Sequence, residues 1–486
     1  MIGHDPDRVY RAAVIGAGSG GLTAAIGLAA LGHEVVLIEG GAVGGDCTNV
    51  GCIPSKALLH ASRRNEADPL GWARGKRDEL ADREDREMAD HDRIHLVRGW
   101  ASLTDARDPH VVRVVDGDTV REVRARHIVV AGGSRPLRID IAGLDAQRVV
   151  TNEELFELSE LPTALVIVGG GPIGLEMATA FAGIGVRVEI VEMQDRLLPD
   201  EDPLITEVVE RALAARGVGL HLGTAIYRVD GDTAHLADGS TIDGIDRVLV
   251  TVGRQPRLDE LGLDRAGVAA SGSGIDVDDW GRTSVDGIWA VGDVTGATQT
   301  THGANAVGRR IVRAIAFPRL PMMGSSRAIP DAVYSDPEIA SVGMGTTELR
   351  EIPASSRRRI VVDHADVDRG YTDDIVDGRL VIDAERFTGR VLRAAIVGPG
   401  ATDLIGLFTM AIDQGIGLRK LFGMVHPYPS HAEIIREAAD RFALATYPAL
   451  AEEWFAMARG RGRRLRRASR RTLRVAAGSG TRTRRR

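Results

Sequence analysis

The sequence contains little cysteine, few aromatic residues and almost no lysine. Of its 486 residues, two are cysteine, three are lysine and 4% are aromatic, against 58 glycines. Scarce aromatics beside abundant glycine favour an α/β protein with many tight turns. Since 58 of the 61 basic residues are arginine, we attribute the shortage of lysine to genomic bias. The length corresponds to about two to four domains.

The sequence shows neither a secretory leader nor a clear membrane span. Its start carries the charged residues Asp5, Asp7 and Arg8. Residues 12–32 form an uncharged stretch of 21 residues, which is long enough to span a bilayer. Six of those residues are glycines, and their spacing fits a strand, a turn and a helix much better. We therefore expect a cytoplasmic protein.

The two cysteines lie five positions apart, at Cys47 and Cys52, within the segment GGDCTNVGCIPSK at residues 44–56. On a regular helix, residues at this spacing point about 140° away from each other. A disulfide needs Cα atoms closer than roughly 7 Å. We therefore predict a distorted helix start, which Pro54 also favours. A helix N-terminus stabilises a thiolate, so the segment predicts a redox disulfide rather than two inert buried thiols.

A nucleotide-binding fingerprint precedes the cysteines. Residues 11–15 read as a short buried strand that leads into Gly16, Gly18 and Gly21. These glycines allow a tight turn, close approach of the backbone to a diphosphate, and close packing of helix on strand. Glu39 ends the second strand, where an acid can accept a ribose hydroxyl. A strand, a glycine turn, a helix, a strand and an acid in this order are a strong signal.

The same arrangement recurs later in the chain. Residues 164–168 lead into Gly169, Gly171 and Gly174, and the following strand ends at Glu192. The first glycine and the acid are 23 positions apart in both copies. Two dinucleotide sites in one chain predict two different dinucleotides.

Glu192 also bears on the choice of nicotinamide cofactor. An acid at this position accepts the free 2′-hydroxyl of NADH and repels the 2′-phosphate of NADPH. Arg187 and Arg196 lie nearby in the sequence and would have the opposite effect. We predict a preference for NADH.

Taken together, these segments resemble the class I pyridine nucleotide–disulfide oxidoreductases, the family of dihydrolipoyl dehydrogenase, glutathione reductase and mercuric reductase. The resemblance runs from about residue 9 to about residue 445, and its most specific element is the cysteine segment. Four further segments are similar to landmarks of this family: residues 131–136, 251–256, 288–294 and 334–343.

The resemblance implies an α/β fold with two Rossmann-like dinucleotide-binding domains and a C-terminal α+β dimerisation domain. Residues 1–148 would form the FAD-binding domain with the redox disulfide, and residues 149–258 the NAD(P)-binding domain. Residues 259–325 would return to the FAD domain, and residues 326–456 would form the dimerisation domain. The last segment, residues 457–486, would be a basic, disordered tail.

The resemblance also implies roles for individual residues. FAD would bind the first fingerprint and NAD(P)H the second, and electrons would pass through the flavin to the Cys47–Cys52 bridge. Cys52 would lie against the flavin while Cys47 exchanges with substrate. Lys56 would approach the flavin and pair with Glu176. Further cofactor-binding positions implied by the family are Gly45, Gly132, Gly253 and Asp293.

The substrate end departs from the family pattern. The family supplies an acid/base pair of His and Glu from the partner subunit, whereas this chain reads HPYPSHAE at residues 426–433. Aligning Glu433 places Tyr428 where the family has histidine; aligning the His-Pro pair selects His426 instead. We favour Tyr428, as in mercuric reductase. Tyrosine, with a pKa near 10, is a poor general base, which argues against ordinary thiol–disulfide chemistry.

Two other features separate the chain from its family. Mercuric reductase needs a second cysteine pair near its C-terminus, and none is left here. We therefore predict a mercuric-reductase-like flavoprotein without a metal site. The connection between Lys56 and Gly99 is short, and we predict one charge-rich helix in it, from Trp72 to about Asp92.

The C-terminal tail is unlike the rest of the chain. Residues 459–486 hold 13 arginines and no acid, so the remainder has 48 basic and 68 acidic residues and a charge near −20, against −7 for the whole. Such a run is usually disordered. Nucleic acid, anionic lipid and the acidic body of the protein are alternative partners.

The leading hypothesis is an FAD-dependent oxidoreductase that passes electrons from NADH through Cys47–Cys52 to a disulfide-type or related small acceptor. We expect a homodimer with shared active sites. The alternatives are a dihydrolipoyl dehydrogenase, a membrane-associated NADH:quinone or metal-ion reductase, and a non-enzymatic flavin redox sensor that binds nucleic acid through its tail.

Overall fold

The computed structural model describes residues 5, 8–105, 109–297, 299–320, 328–375 and 377–448. The chain divides into two compact units, residues 1–340 and residues 341–486. The predicted tail, residues 457–486, lies outside the described residues, so its contacts with nucleic acid or lipid stay predictions. The predicted five-part division of the chain also stays a prediction.

The first unit opens with the strand, turn and helix that the glycine spacing predicts. Strand β1 is Val9–Ile15, helix α1 is Ser19–Ala30 and strand β2 is Val35–Glu39. The uncharged stretch of residues 12–32 is thus divided between a strand and a helix. Among the described residues, no helix is both long enough and apolar enough to cross a membrane.

The cysteine segment forms an interrupted helix, as predicted. Helix α2, Gly45–Asn49, stops before Cys52, and helix α3, Cys52–Arg64, begins at that residue. Helix α4 spans Pro69–Ala89, so the predicted start at Trp72 was three residues late. The reason is local: Asp68 caps the helix by accepting a hydrogen bond from the Gly71 backbone at 2.8 Å.

The first sheet surrounds the first glycine turn. Its next four strands are β3 Ile94–Arg98, β4 Trp100–Asp105, β5 His110–Asp116 and β6 Thr119–Val130. The strand order is β3-β2-β1-β6-β5-β4. Strand β1 is parallel to both neighbours, β2 and β6, so the turn after it lies where the order of the parallel strands reverses. Open α/β sheets bind ligands at this point.

Both faces of β1 are buried. Ala12 and Val14 pack with Leu28 of α1 in one apolar cluster. Ala13 and Ile15 alternate with them and belong to a second cluster, on the opposite face. A strand covered on both sides needs a continuous apolar run, which explains why residues 12–15 of β1 carry no charge.

A second Rossmann-like sheet follows in the same unit. The segment between the two sheets contributes β7 Ser134–Pro136, β8 Val149–Val150 and α5 Asn152–Leu155. The second fingerprint forms β9 Ala164–Val168, α6 Pro172–Ile184 and β10 Arg187–Glu192. It continues with α7 Pro203–Ala215, β11 Gly219–Leu222, β12 Ile226–Asp230, β13 Thr233–Leu236, β14 Thr241–Ile242, β15 Arg247–Val250 and β16 Arg254–Pro256.

This second sheet is parallel and repeats the topology of the first. Its order is β11-β10-β9-β15-β8, so β9 lies between two parallel neighbours just as β1 does. Strands β12, β13 and β14 form a small antiparallel sheet beside it. The short strands β7 and β16 pair antiparallel where the chain enters and leaves this part of the fold; we call this pair the crossing ribbon.

The remaining elements of the first unit follow the second sheet along the chain, and one of them, β19, joins the first sheet. They are α8 Leu263–Ala266, β17 Ala270–Ser271, β18 Gly274–Ile275, β19 Ile288–Ala290, α9 Thr301–Ala316 and β20 Asp331–Val333. Strand β19 pairs parallel with β6, which makes the first sheet seven-stranded. Helix α9 packs against α1.

The second unit is of the α+β type. Its elements are α10 Thr346–Glu351, β22 Arg357–Asp363, α11 Asp368–Thr372, β23 Arg379–Glu385, β24 Val391–Val397, α12 Ala401–Asp413, α13 Leu418–Leu421 and α14, residues 433–448. Strand β21, Ile339–Gly343, contains the division between the units. Strands β22, β23 and β24 are antiparallel neighbours. The predicted fold class is confirmed.

Candidate active site

The first glycine turn excludes side chains at two positions. Gly16 has a φ of +99°, and a Cβ there would lie 2.2 Å from the Ala131 carbonyl oxygen. A Cβ at Gly21 would lie 1.9 Å from the Gly16 carbonyl oxygen. Gly18 is different, because the nearest atom to its Cβ position is Gly45 Cα at 3.9 Å. The turn is therefore closed against the sheet at Gly16 and Gly21, whereas Gly18 leaves room for a Cβ and lies in contact with Gly45.

The end of this turn fits the diphosphate of FAD. Helix α1 begins here, and its N-cap Gly18 has no side chain to accept the free N–H groups of the first turn. Such groups bind phosphate. Glu39 accepts hydrogen bonds from the backbone of Ala17 at 2.6 Å and of Gly41 at 2.7 Å, which holds its carboxylate beside the turn, in reach of a ribose.

The second glycine turn has the same geometry. A Cβ at Gly169 would lie 2.7 Å from the Thr251 carbonyl oxygen, and Gly171 is open to solvent. A Cβ at Gly174 would lie 2.2 Å from the Gly169 carbonyl oxygen, repeating the contact between Gly21 and Gly16. The residues present fit a second dinucleotide at this turn.

Glu192 repeats the position of Glu39. Its carboxylate accepts hydrogen bonds from the backbone of Gly170 at 2.6 Å and of Gln194 at 2.8 Å. The two arginines near it are engaged elsewhere. Arg187 donates to the Asp243 carbonyl at 2.5 Å, and Arg196 donates to the Pro199 carbonyl.

Cys47 lies in α2 and Cys52 opens α3, and both cysteines are half-buried. The Cys47 thiol donates a hydrogen bond to Cys52, and this bond is the largest cause that lowers the pKa of Cys52, against the opposing effect of burial. With the smaller contributions of the Thr301 hydroxyl, 3.5 Å from Cys52 Sγ, and of the Lys56 charge, the pKa of Cys52 falls to about 6. The same bond, together with burial, raises the pKa of Cys47.

Lys56 and Glu176 form an ion pair beside the cysteines. Lys56 Nζ lies 2.9 and 2.8 Å from the two carboxylate oxygens of Glu176, which is 6% exposed. Ser55 donates to Glu176 at 3.3 Å, and the backbone of Tyr334 donates to it at 3.1 Å. The Tyr334 ring lies 4.4 Å from Lys56 Nζ, in a cation–π contact.

Sequence reasoning missed Thr301 and Tyr334 as members of this site. Tyr334 opens one of the segments that resembles the family, which was the available signal. Thr301 is the first residue of α9 and carries no pattern that would single it out.

The predicted residues Gly132, Gly253 and Asp293 lie at the crossing ribbon. Gly132 and Gly253 precede β7 and β16, and the Leu137 backbone donates to the Gly253 carbonyl at 3.0 Å. Ser134 donates to Asp293 Oδ2 at 2.5 Å. Arg254 donates through Nε to Ser134 Oγ at 2.7 Å.

The predicted acid/base residues lie in the second unit. The Tyr428 hydroxyl is exposed and donates to Asp368 Oδ2 at 2.7 Å, and this bond raises the pKa of Tyr428. Glu433 is 5% exposed, with Arg436 at 3.6 Å. Within the described residues, Glu433 Oε2 and His426 Nε2 are buried without a hydrogen-bond partner. Burial lowers the pKa of His426.

Comparison with known proteins identifies two family models along this chain. Residues 10–308 match the pyridine nucleotide-disulphide oxidoreductase model, and residues 329–439 match the dimerisation domain of the same family. Dihydrolipoyl dehydrogenase 3 of Haloarcula marismortui is 34% identical over 459 residues, covering 88% of this chain and 95% of that protein. Dihydrolipoyl dehydrogenase of Pseudomonas aeruginosa is 32% identical over 452 residues, covering 88% and 96%.

Solved structures show the same likeness. The HOCl-induced flavoprotein disulfide reductase RclA from Escherichia coli has a TM-score of 0.80 and 28% identity, covering 89% of this chain and 99% of that one. LpdA from Mycobacterium tuberculosis has a TM-score of 0.81 and 27% identity, with the same coverage. The predicted closeness to mercuric reductase stays a prediction.

Proposed function

The chain belongs to the pyridine nucleotide–disulphide oxidoreductase family, and from this premise we propose that it uses NADH to reduce a small disulfide-type acceptor through Cys47 and Cys52. The chain is an FAD-dependent enzyme of this family, and its dimerisation domain supports a homodimer. The preference for NADH, the acceptor class and the residue roles are the proposed part, as is a cytoplasmic location.

The contact between the Cys47 and Cys52 side chains carries this proposal. When bound, FAD supplies two-electron transfer between the nicotinamide and the cysteines. In the oxidised protein, Cys47 and Cys52 would be joined by a disulfide; two electrons from NADH and protons from solvent convert it to the dithiol. Cys52 keeps its charge because its pKa lies near 6. Cys47 passes its proton to the Cys52 thiolate and attacks the acceptor disulfide, and the first acceptor thiolate leaves with that proton. Cys52, again a thiolate, then attacks the Cys47 sulfur, which releases the second acceptor thiolate and restores the bridge.

Lys56 supports Cys52 in this scheme. Its ammonium lowers the pKa of Cys52, while the carboxylate of Glu176 raises that pKa and holds Lys56 in place. Thr301 adds a hydroxyl on the same thiol. Together they stabilise a thiolate at Cys52, which is the base within hydrogen-bond reach of the Cys47 thiol.

The direction of the reaction follows from Tyr428. A phenol whose pKa is raised above its ordinary value stays neutral near pH 7. It can donate a hydrogen bond to a departing thiolate of the acceptor, but it cannot take the proton from an incoming dithiol. We therefore propose acceptor reduction as the favoured direction, with Tyr428 and Glu433 of one subunit completing the site of its partner.

Counting thiols tests the proposal directly, because the chain has only two cysteines. Denatured, air-oxidised holoenzyme should show no thiol by reaction with Ellman's reagent. After one equivalent of NADH under argon, the count should rise to two. Cys47→Ser and Cys52→Ser should each retain FAD yet turn over no disulfide. Unchanged disulfide turnover in Cys47→Ser would rule out the relay.

The names of the curated relatives favour dihydrolipoyl dehydrogenase as a second candidate. This activity needs a base for dihydrolipoamide, which His426, kept neutral by its lowered pKa, would have to supply. NAD⁺ reduction by dihydrolipoamide decides between the two directions. Robust turnover by the wild-type enzyme would favour this candidate over acceptor reduction.

A further inference from the structure

One guanidinium joins two carboxylates from distant parts of the first unit. Arg254, in strand β16 of the crossing ribbon, donates through Nη2 to Asp46 Oδ2. Its Nε lies 3.6 Å from Asp293 Oδ2. The Arg254 side chain is only 14% exposed, against 41% for Asp46 and 25% for Asp293. An arginine this buried, facing two acids, carries an electrostatic role beyond a surface ion pair.

The same arginine is fixed by neutral partners. Besides Ser134 Oγ, it donates to the Ser134 carbonyl at 3.2 Å and to Asn152 Oδ1 at 3.4 Å. Asn152 in turn donates to the Val50 carbonyl, in the loop between the cysteines, at 2.9 Å. The guanidinium is thus held in one orientation, with its charge directed at the redox segment.

Both carboxylates lie beside the position proposed for the FAD diphosphate. Asp46 directly follows Gly45, which packs so closely on the first glycine turn that a Cβ at Gly45 would lie 2.7 Å from Gly18 Cα. Asp293 begins the turn that follows β19, the strand next to β6 in the same sheet. A bound diphosphate would bring further negative charge to a place that already holds two acids.

Negative charges gathered in one part-buried place repel each other unless a cation compensates them. We infer that the positive charge of Arg254 compensates the acids beside the FAD diphosphate. The negative charge of Asp46 is the reason why FAD binding requires Arg254. Neutralising Asp46 should then reduce the need for Arg254. This inference rests on the proposed placement of FAD on the first glycine turn, and it assigns to the crossing ribbon a role in holding the flavin.

FAD affinity of the apoprotein tests the inference without any turnover assay. The flavin is removed with concentrated bromide, and its rebinding is followed by fluorescence quenching in four proteins: wild type, Arg254→Gln, Asp46→Asn and the double variant. We expect Arg254→Gln to raise the Kd for FAD about tenfold or more and Asp46→Asn to change it less than about threefold. The double variant should recover most of the FAD affinity that Arg254→Gln loses.

Two further variants separate charge from folding. Arg254→Lys keeps the charge but loses the planar fork, so it should bind FAD more tightly than Arg254→Gln. Arg135→Gln is the matched control, since Arg135 lies on the same ribbon, is 49% exposed and pairs with Asp259 in solvent; it should bind like wild type. Wild-type FAD content, measured first, checks the proposed function independently of the variants.

The contrary results are equally clear. Wild-type affinity in Arg254→Gln would overturn the inference, because the positive charge would then be dispensable. An equal loss of FAD affinity in Arg254→Gln and in the double variant would also overturn it. If the role of Arg254 were purely structural, neutralising Asp46 would not restore the affinity.

Discussion

Lys56 of α3 and Glu176 of α6 form a two-point contact, with Nζ–O distances of 2.9 and 2.8 Å, and so join the cysteine segment to the first helix of the second glycine fingerprint. The contact lies next to Cys52, whose pKa responds to both charges in opposite senses. The ion pair therefore tunes the thiolate as well as connecting the two Rossmann-like sheets.

Changing either member of this pair should move the pKa of Cys52 in a known direction. Lys56→Met removes a positive charge and should raise that pKa; Glu176→Gln removes a negative charge and should lower it. In wild type, the pH profile of Cys52 alkylation should have its midpoint near pH 6. At pH 6 we expect about a threefold lower alkylation rate in Lys56→Met and a higher rate in Glu176→Gln.

Iodoacetamide labelling of the reduced protein, read on the Cys52 peptide by mass spectrometry, measures this profile. Lys76→Met is the control, because Lys76 is a surface lysine that pairs with Glu79. Shifts of the same sign in both Lys56→Met and Glu176→Gln would contradict the electrostatic explanation.

Thr301→Val should raise the pKa of Cys52, because it removes the hydroxyl that lies 3.5 Å from Sγ and helps to stabilise the thiolate. Valine keeps the shape of threonine, so α9 should fold normally. We expect about a threefold to tenfold loss of Cys52 alkylation at pH 6. Thr301→Ser retains the hydroxyl and should behave like wild type; a loss in both variants would point to packing instead.

These residues show how far the sequence predicts the site and where it stops. The spacing from Gly16 to Glu39 and from Gly169 to Glu192 identified both nucleotide turns, because the chemistry of each turn is local in sequence. Thr301 contacts Cys52 from 249 positions away, so no spacing rule could have paired them.

The same limit applies to Arg254. The segment that contains it, residues 251–256, was recognised as similar to a landmark of the family. The contact of Arg254 with Asp46, however, spans 208 positions and depends on how β16 pairs with β7. The family resemblance gave a better guide to the partner of Lys56, since it implied the contact with Glu176 that the structure contains.

Glu192→Ala should weaken the preference for NADH. The wild-type carboxylate, fixed by the backbone of Gly170 and Gln194, should repel the 2′-phosphate of NADPH. We expect a wild-type kcat/KM about tenfold to a hundredfold higher for NADH, and a ratio several times smaller in the variant. Glu189→Gln is the matched control, because Glu189 lies on the same strand and pairs with His221. A wild-type preference for NADPH would contradict the prediction.

Tyr428→His should increase the oxidation of dihydrolipoamide. The Tyr428 hydroxyl stays protonated because Asp368 raises its pKa, whereas an imidazole titrates near neutrality and can take up a thiol proton. We expect NAD⁺ reduction by dihydrolipoamide to rise about tenfold or more in this variant. His426→Asn tests the other alignment and should leave the wild-type rate nearly unchanged. If His426→Asn abolishes turnover while Tyr428→His has no effect, then His426 is the base and Tyr428 only anchors its loop to Asp368.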